Sequence, residues 1–207
     1  MKEETIKQHW NEVVEYFQIP SEIEEVTFNR IVDLYNNPNS HYHTLTHVST
    51  LLQLIDEENV SIENRITLIL AAFYHDAIYN ATSSKNEEES AKILRTDFNK
   101  INIESEIIDL AIQFILDTKT HQSTHSLSQL FLDMDLSILG VESEAYLAYT
   151  KQVRKEFKCF PDLIYRIGRK KFIQKTLAQP FIFYNDNFRN KLEKKVIENL
   201  TNELKTL

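Results

Sequence analysis

Glycine and proline are scarce in this chain, with 2 and 4 among 207 residues. Sheet-containing folds need more turn punctuation than that, so the scarcity predicts helices joined by short loops. It also excludes phosphate cradles made of glycine, since neither G-x-G-x-x-G nor G-x-x-x-x-G-K occurs. The lone cysteine, Cys159, cannot close an internal disulfide, and the first residues lack the basic-then-apolar pattern of a signal peptide. Together these features suit a reducing cytoplasm. No apolar run is long enough to cross a bilayer: the longest, Ile66 to Tyr74, contains Thr67 and stops at His75-Asp76. An excess of positive charge is missing too. With a net charge of −8, the expectation is no stable binding to nucleic acid or to membrane, because both rely on a positive surface field. A small anion would need a local positive centre such as a metal ion.

What is present is helical periodicity. Ile6, Trp10, Val13, Val14 and Phe17 recur at three- and four-residue steps, and a second stripe runs from Ile23 to Leu34 before Asn36-Asn37-Pro38. Ser21 with Glu24, and Ser84 with Glu87, have capping-box spacing, and Ser61 is placed to cap a helix through Phe73. Further helices are expected from Leu45 to Ile55, over 104–116, 126–135 and 142–157, and from about Asn187 to Leu204. Pro161 and Pro180 punctuate the tail, where Phe157, Phe160, Phe172, Phe181, Phe183 and Tyr184 form an aromatic stripe best read as core or packing seam. No repeat, low-complexity tract or linker divides the chain. The expected fold is all-α, one domain over 1–207 with the site-bearing core at about 40–140.

Against this pattern a few polar residues stand out. His43 and His47 are four apart, a spacing that places two side chains on one helix face. His75-Asp76 closes a strongly apolar helix, where His suits the negative dipole end but a carboxylate is disfavoured. Asp133 and Asp135 lie within an otherwise apolar Phe131–Leu139 segment, where a buried cation would account for at least one of them. Imidazoles with carboxylates suit Mn, Fe, Ni or Zn, or Mg with fewer histidines. On a helix, residues two apart point about 200° apart, so only one of Asp133 and Asp135 can face such a cation.

The order His47, His75-Asp76, Asp135 resembles the H…HD…D signature of the HD-domain phosphohydrolase superfamily. Locally, Tyr42-His43-Thr44-Leu45-Thr46-His47 resembles the Y-H-N-x-x-H element of cyclic nucleotide phosphodiesterases, and Asp135-Leu136-Ser137 their D-L-S element. Thr44 replaces their Asn and no H-x-G follows Asp76, so cyclic-nucleotide specificity does not carry over. Over nearly the whole chain the sequence resembles bacterial predicted metal-dependent HD-superfamily phosphohydrolases. The shared elements are Tyr42-His43-x-x-x-His47, Phe73 to Tyr79, Asn86-Glu87, Thr118 with His121, Asp133 to Gly140, and Arg154.

The resemblance implies a single HD-domain helical bundle with additional N- and C-terminal helices. It implies His47, His75, Asp76 and Asp135 as ligands of one or two divalent ions, the D-L-S match selecting Asp135 over Asp133. A water on the metal would attack phosphorus, and His43 would protonate the leaving oxygen. His121 is either a further ligand or a helix-terminal histidine. Glu87 either positions water or substrate or serves the capping box. Lys85, Arg154 and Arg169 are candidates for gripping phosphate. The expected activity is hydrolysis of a phosphoester or phosphoanhydride of a nucleotide or similar small metabolite, with self-association left open. The alternative is a metal- or nucleotide-sensing module with little turnover.

Overall fold

A computed structural model describes residues 2–207. It contains α1 (Lys2–Phe17), α2 (Ser21–Tyr35), α3 (Leu45–Asp56), α4 (Ile62–Tyr74), α5 (Asn86–Asn99), α6 (Glu106–Asp117) and α7 (Ser126–Leu136). A 3₁₀ turn (Ser137–Gly140) and α8 (Ser143–Glu156), α9 (Asp162–Leu177) and α10 (Asp186–Thr206) follow. No strand occurs among the described residues, so the fold class is all-α as the composition implied. The chain divides into two compact units, the first ending at Phe131 and the second starting at Leu132, with the division inside α7.

In the first unit α4 is the central element, packed against α1, α3, α5 and α6. Every residue from Ile66 to Tyr74 is buried, which is why this helix is apolar all round rather than on one stripe. Trp10 of α1 meets Phe73 edge-on at 5.6 Å between ring centroids. Each such fully buried large side chain contributes about 1.5–3 kcal/mol. Ser61 caps α4 as expected, its Oγ accepting the Asn64 N–H.

The two proposed capping boxes do not form. Pro20 occupies the cap position of α2, so Ser21 is already helical, and α5 starts at Asn86 after Lys85, neither cap residue making a side-chain cap bond. Spacing alone does not set the backbone angles that a cap requires.

In the second unit α10 packs on the 3₁₀ turn and on α9. A Cβ on Gly140 would lie 2.7 Å from Leu192 Cβ and 3.1 Å from Val196 Cγ2, so glycine is what lets α10 approach. Asn199 Nδ2 donates to the Leu139 and Val141 carbonyls at 2.9 Å each, fixing the turn that follows α7. The aromatic stripe is only partly core: Phe183 is buried, whereas Phe181 and Tyr184 are exposed. Phe181 instead lies under the Arg189 guanidinium, 4.0 Å from ring centroid to Cζ.

Candidate metal centre

Four side chains of the first unit converge beside the end of α4. Thr44 caps α3 by accepting the Thr46 N–H at 3.3 Å, so the helix starts at Leu45 and buries His47 in its first turn. His43 therefore stands one residue outside the cap. Its approach to His47 comes from loop geometry and not from a shared helix face, correcting the spacing argument. At the other side His75 continues α4, its N–H donating to the Ala71 carbonyl at 2.9 Å, and Asp76 lies in the turn beyond.

The protonation of His75 follows from its partner. Nδ1 lies 3.1 Å from the Ala72 carbonyl oxygen, which can only accept, so Nδ1 carries hydrogen and a neutral His75 presents a bare Nε2. That nitrogen is 3.1 Å from His47 Nε2 and 3.0 Å from Asp76 Oδ2. His47 Nδ1 shares a hydrogen bond with the Tyr42 hydroxyl at 3.1 Å, which aims its Nε2 inward. Asp76 Oδ2 is also 4.0 Å from His47 Nε2 and 3.8 Å from His43 Nε2. A lone pair facing a carboxylate at 3.0 Å is repulsive unless His75 gains a second proton or a cation sits among the three atoms. Ligands on one divalent ion with bonds near 2.1 Å are separated by about 3.0–3.4 Å when adjacent, which both short separations match.

Asp135 is carried on α7, one turn after Phe131, whose ring packs edge-on against His75 at 5.7 Å. His47 and His75 bring their ring nitrogens together within the first unit, and imidazole beside carboxylate is the chemistry of a metal site, whereas Asp135 belongs to the second unit. Asp76 is the carboxylate that reaches both histidines within the first unit. The rival Asp133 is fully buried in the second unit, where its carboxylate accepts the Tyr184 N–H at 2.8 Å and the Asn185 N–H at 2.6 Å. Burial pushes its pKa up to about 6, against the pull of those two N–H donors.

The supports of the site include residues that spacing did not reveal. The Tyr79 ring stacks on His43 at 3.8 Å between centroids. Tyr79 is placed by α5: Ser90 Oγ accepts the Ile78 N–H at 3.0 Å, and Asn86 brackets Asn80 by accepting its N–H at 3.1 Å and donating to its carbonyl at 3.0 Å. Tyr74, next to His75, donates to the buried Asp97 at 3.2 Å, and Asp97 is also paired with Arg30. Burial, then the adjacent Asp97 carboxylate, raises the Tyr74 hydroxyl well above its ordinary value, so it remains a neutral anchor for the end of α4. Tyr42 and Tyr79 fall within recognised motifs, but nothing in their spacing indicates what they touch.

The outer candidates lie before and on α5 and after α6 in the first unit, and on α8 and α9 in the second. Glu87 is half-buried in the first turn of α5, 4.0 Å from Lys119 Nζ, which also pairs with Glu88 and donates to the Ser84 carbonyl at 2.7 Å. Lys85 is exposed on the loop before α5. His121 follows α6 in the left-handed region with φ of 53°, its N–H donating to the Asp117 carbonyl at 2.9 Å, so it ends the turn after the helix.

Arg154 donates to the Phe157 and Phe160 carbonyls and pairs with Asp162, which ties down the end of α8. Arg169 is buried, paired through Nε and Nη2 with Glu203. Both arginines are thus engaged in packing the second unit. Compared with models of protein families, with curated proteins and with solved structures, the chain matches none.

Proposed function

We propose that His47, His75, Asp76 and Asp135 hold a divalent metal ion, and that the protein is an HD-type phosphohydrolase acting on a small phosphorylated metabolite such as a nucleotide. The observation that carries this proposal is the meeting of His75 Nε2 with His47 Nε2 and Asp76 Oδ2 at 3.1 and 3.0 Å while His75 Nδ1 is committed to a carbonyl. Two imidazoles with two carboxylates favour Mn, Fe, Ni or Zn over Mg. Such an ion supplies positive charge that acidifies a water and offsets the charge developing on phosphoryl oxygens.

The chain's own residues support the remaining parts. The Ala72 carbonyl holds His75 in the tautomer that ligation needs, and Tyr42 holds the orientation of the His47 ring, as outer hydrogen bonds do at metal sites. His43, half-buried and stacked on Tyr79, is held near Asp76 without being enclosed, so its Nε2 can give a proton to a leaving oxygen. Lys85 remains the exposed cation offered for substrate phosphate.

The test joins metal analysis of the purified protein, with a His75→Ala control, to a phosphate-release screen over nucleotides and sugar phosphates in Mn, Mg, Ni, Fe and Zn. Metal bound by the native protein and not by the variant, together with metal-dependent phosphate or pyrophosphate release, is the expected result. Metal binding without turnover of any substrate would favour the sensing module. Metal content equal in protein and variant would overturn the site.

A further inference from the structure

The charge of the chain is unevenly placed. Residues 151–175 hold nine Lys and Arg against two acids, within a protein whose net charge is −8. Two of the nine, Arg154 and Arg169, are used inside the second unit. On α9 the buried Arg169, Ile173 and Thr176 define the inner face. At 100° per residue, Leu163, Ile164 and Ile167 share the opposite face. These three aliphatic residues are 69%, 51% and 57% exposed. By the same geometry Arg166 and Lys170 run along one side of the aliphatic stripe, Lys171 and Lys175 along the other.

We propose that the outward face of α9 docks on an anionic membrane surface, with Leu163, Ile164 and Ile167 entering the headgroup boundary and the flanking cations meeting lipid phosphates and carboxylates. An apolar stripe bordered by Lys and Arg is the pattern of an interfacial helix, in which long basic side chains reach the headgroups while the stripe is buried. Protein surfaces that bind nucleic acid are polar and positive, and three protruding aliphatic side chains at the centre of the patch do not fit that use. The whole-chain charge hides this face because averaging over 207 residues removes the local field. Among the described residues no helix is long and apolar enough to cross a membrane, so the contact is peripheral. This proposal is independent of the metal centre.

The experiment is co-sedimentation of the full chain with vesicles of phosphatidylcholine alone and of phosphatidylcholine mixed with phosphatidylserine, at low and high salt. Binding to the anionic vesicles at low salt, reduced by salt, is expected. A Lys170→Glu/Lys171→Glu variant weakens it by at least about tenfold, since each basic residue near such a surface is worth about 1 kcal/mol. Ile167→Asp, at a position 57% exposed, puts a carboxylate in the middle of the stripe and weakens binding by a similar factor. No binding to anionic vesicles, or binding unchanged in both variants, would overturn the proposal. So would salt-sensitive binding to DNA, or self-association through this face, with the vesicles left untouched.

Discussion

Adding a divalent cation to chelator-treated protein is expected to raise its thermal midpoint, by an amount that follows from linkage. An ion that binds only the folded state at 100 times its Kd stabilises by about 2.7 kcal/mol. For a chain of this size each kcal/mol moves the midpoint by about 2–4 °C, which gives about 5–11 °C. The structure adds a pH signature. His75 Nε2 faces Asp76 Oδ2 at 3.0 Å across the position a cation would take, and an imidazole nitrogen must be free of hydrogen to bind one. Proton and cation compete for one position, so the shift should be large near about pH 8 and shrink towards about pH 6. A thermal scan with Mn, Ni, Zn or Mg against chelator, at both pH values, reads this directly. His75→Ala removes the nitrogen and should abolish the response. The same shift in His75→Ala as in the native protein, or a shift that grows on acidification, would refute the proposed ligation.

His43→Asn should retain metal while turnover of any substrate found falls by about 10²–10⁴-fold, the usual contribution of a positioned acid; loss of metal along with activity would make His43 a ligand instead. Asp97→Ala removes the buried partner of Arg30 and Tyr74, and denaturant unfolding should show a loss of about 3 kcal/mol, with no loss counting against its anchoring part. Gly140→Ala should destabilise by about 1–3 kcal/mol, because the new methyl meets the Cβ of Leu192, which is fixed to the α10 backbone. Asp133→Asn should cost about 2 kcal/mol, since an amide cannot accept both N–H groups. With the folded pKa of Asp133 raised to about 6, the folded state binds more protons than the unfolded one between about pH 4 and that value, and stability falls as pH rises through this window. Asn does not titrate, so the deficit of the variant should narrow from about pH 4 to about pH 7; a constant deficit would count against the raised value.

The helices of the first unit were legible because their apolar residues are buried in register, and α4 stood out because all of Ile66 to Tyr74 is buried. His75 and Asp76 stand out in the sequence as polar groups closing an apolar helix, whereas His47 is singled out by a helical spacing from His43 that the cap at Thr44 does not allow. α9 was not, because its outward face carries Leu163, Ile164 and Ile167 and so lacks the contrast on which periodicity depends. The caps assigned to Ser21 and Ser84 failed for a related reason: a cap depends on backbone angles set by neighbours, here Pro20 and Lys85.

By itself the sequence determined the helical class and the chemical inventory of the candidate site, since scarcity of glycine, periodicity and misplaced carboxylates are properties of the chain order. Only the tertiary structure decided which atoms meet. The Ala72 carbonyl fixes the tautomer of His75, Tyr42 turns His47, and Tyr79 stacks on His43. Asp133 gives its oxygens to the backbone before α10. Each of these depends on distances of a few ångströms between segments separated by loops, and residue spacing along a chain does not contain that information.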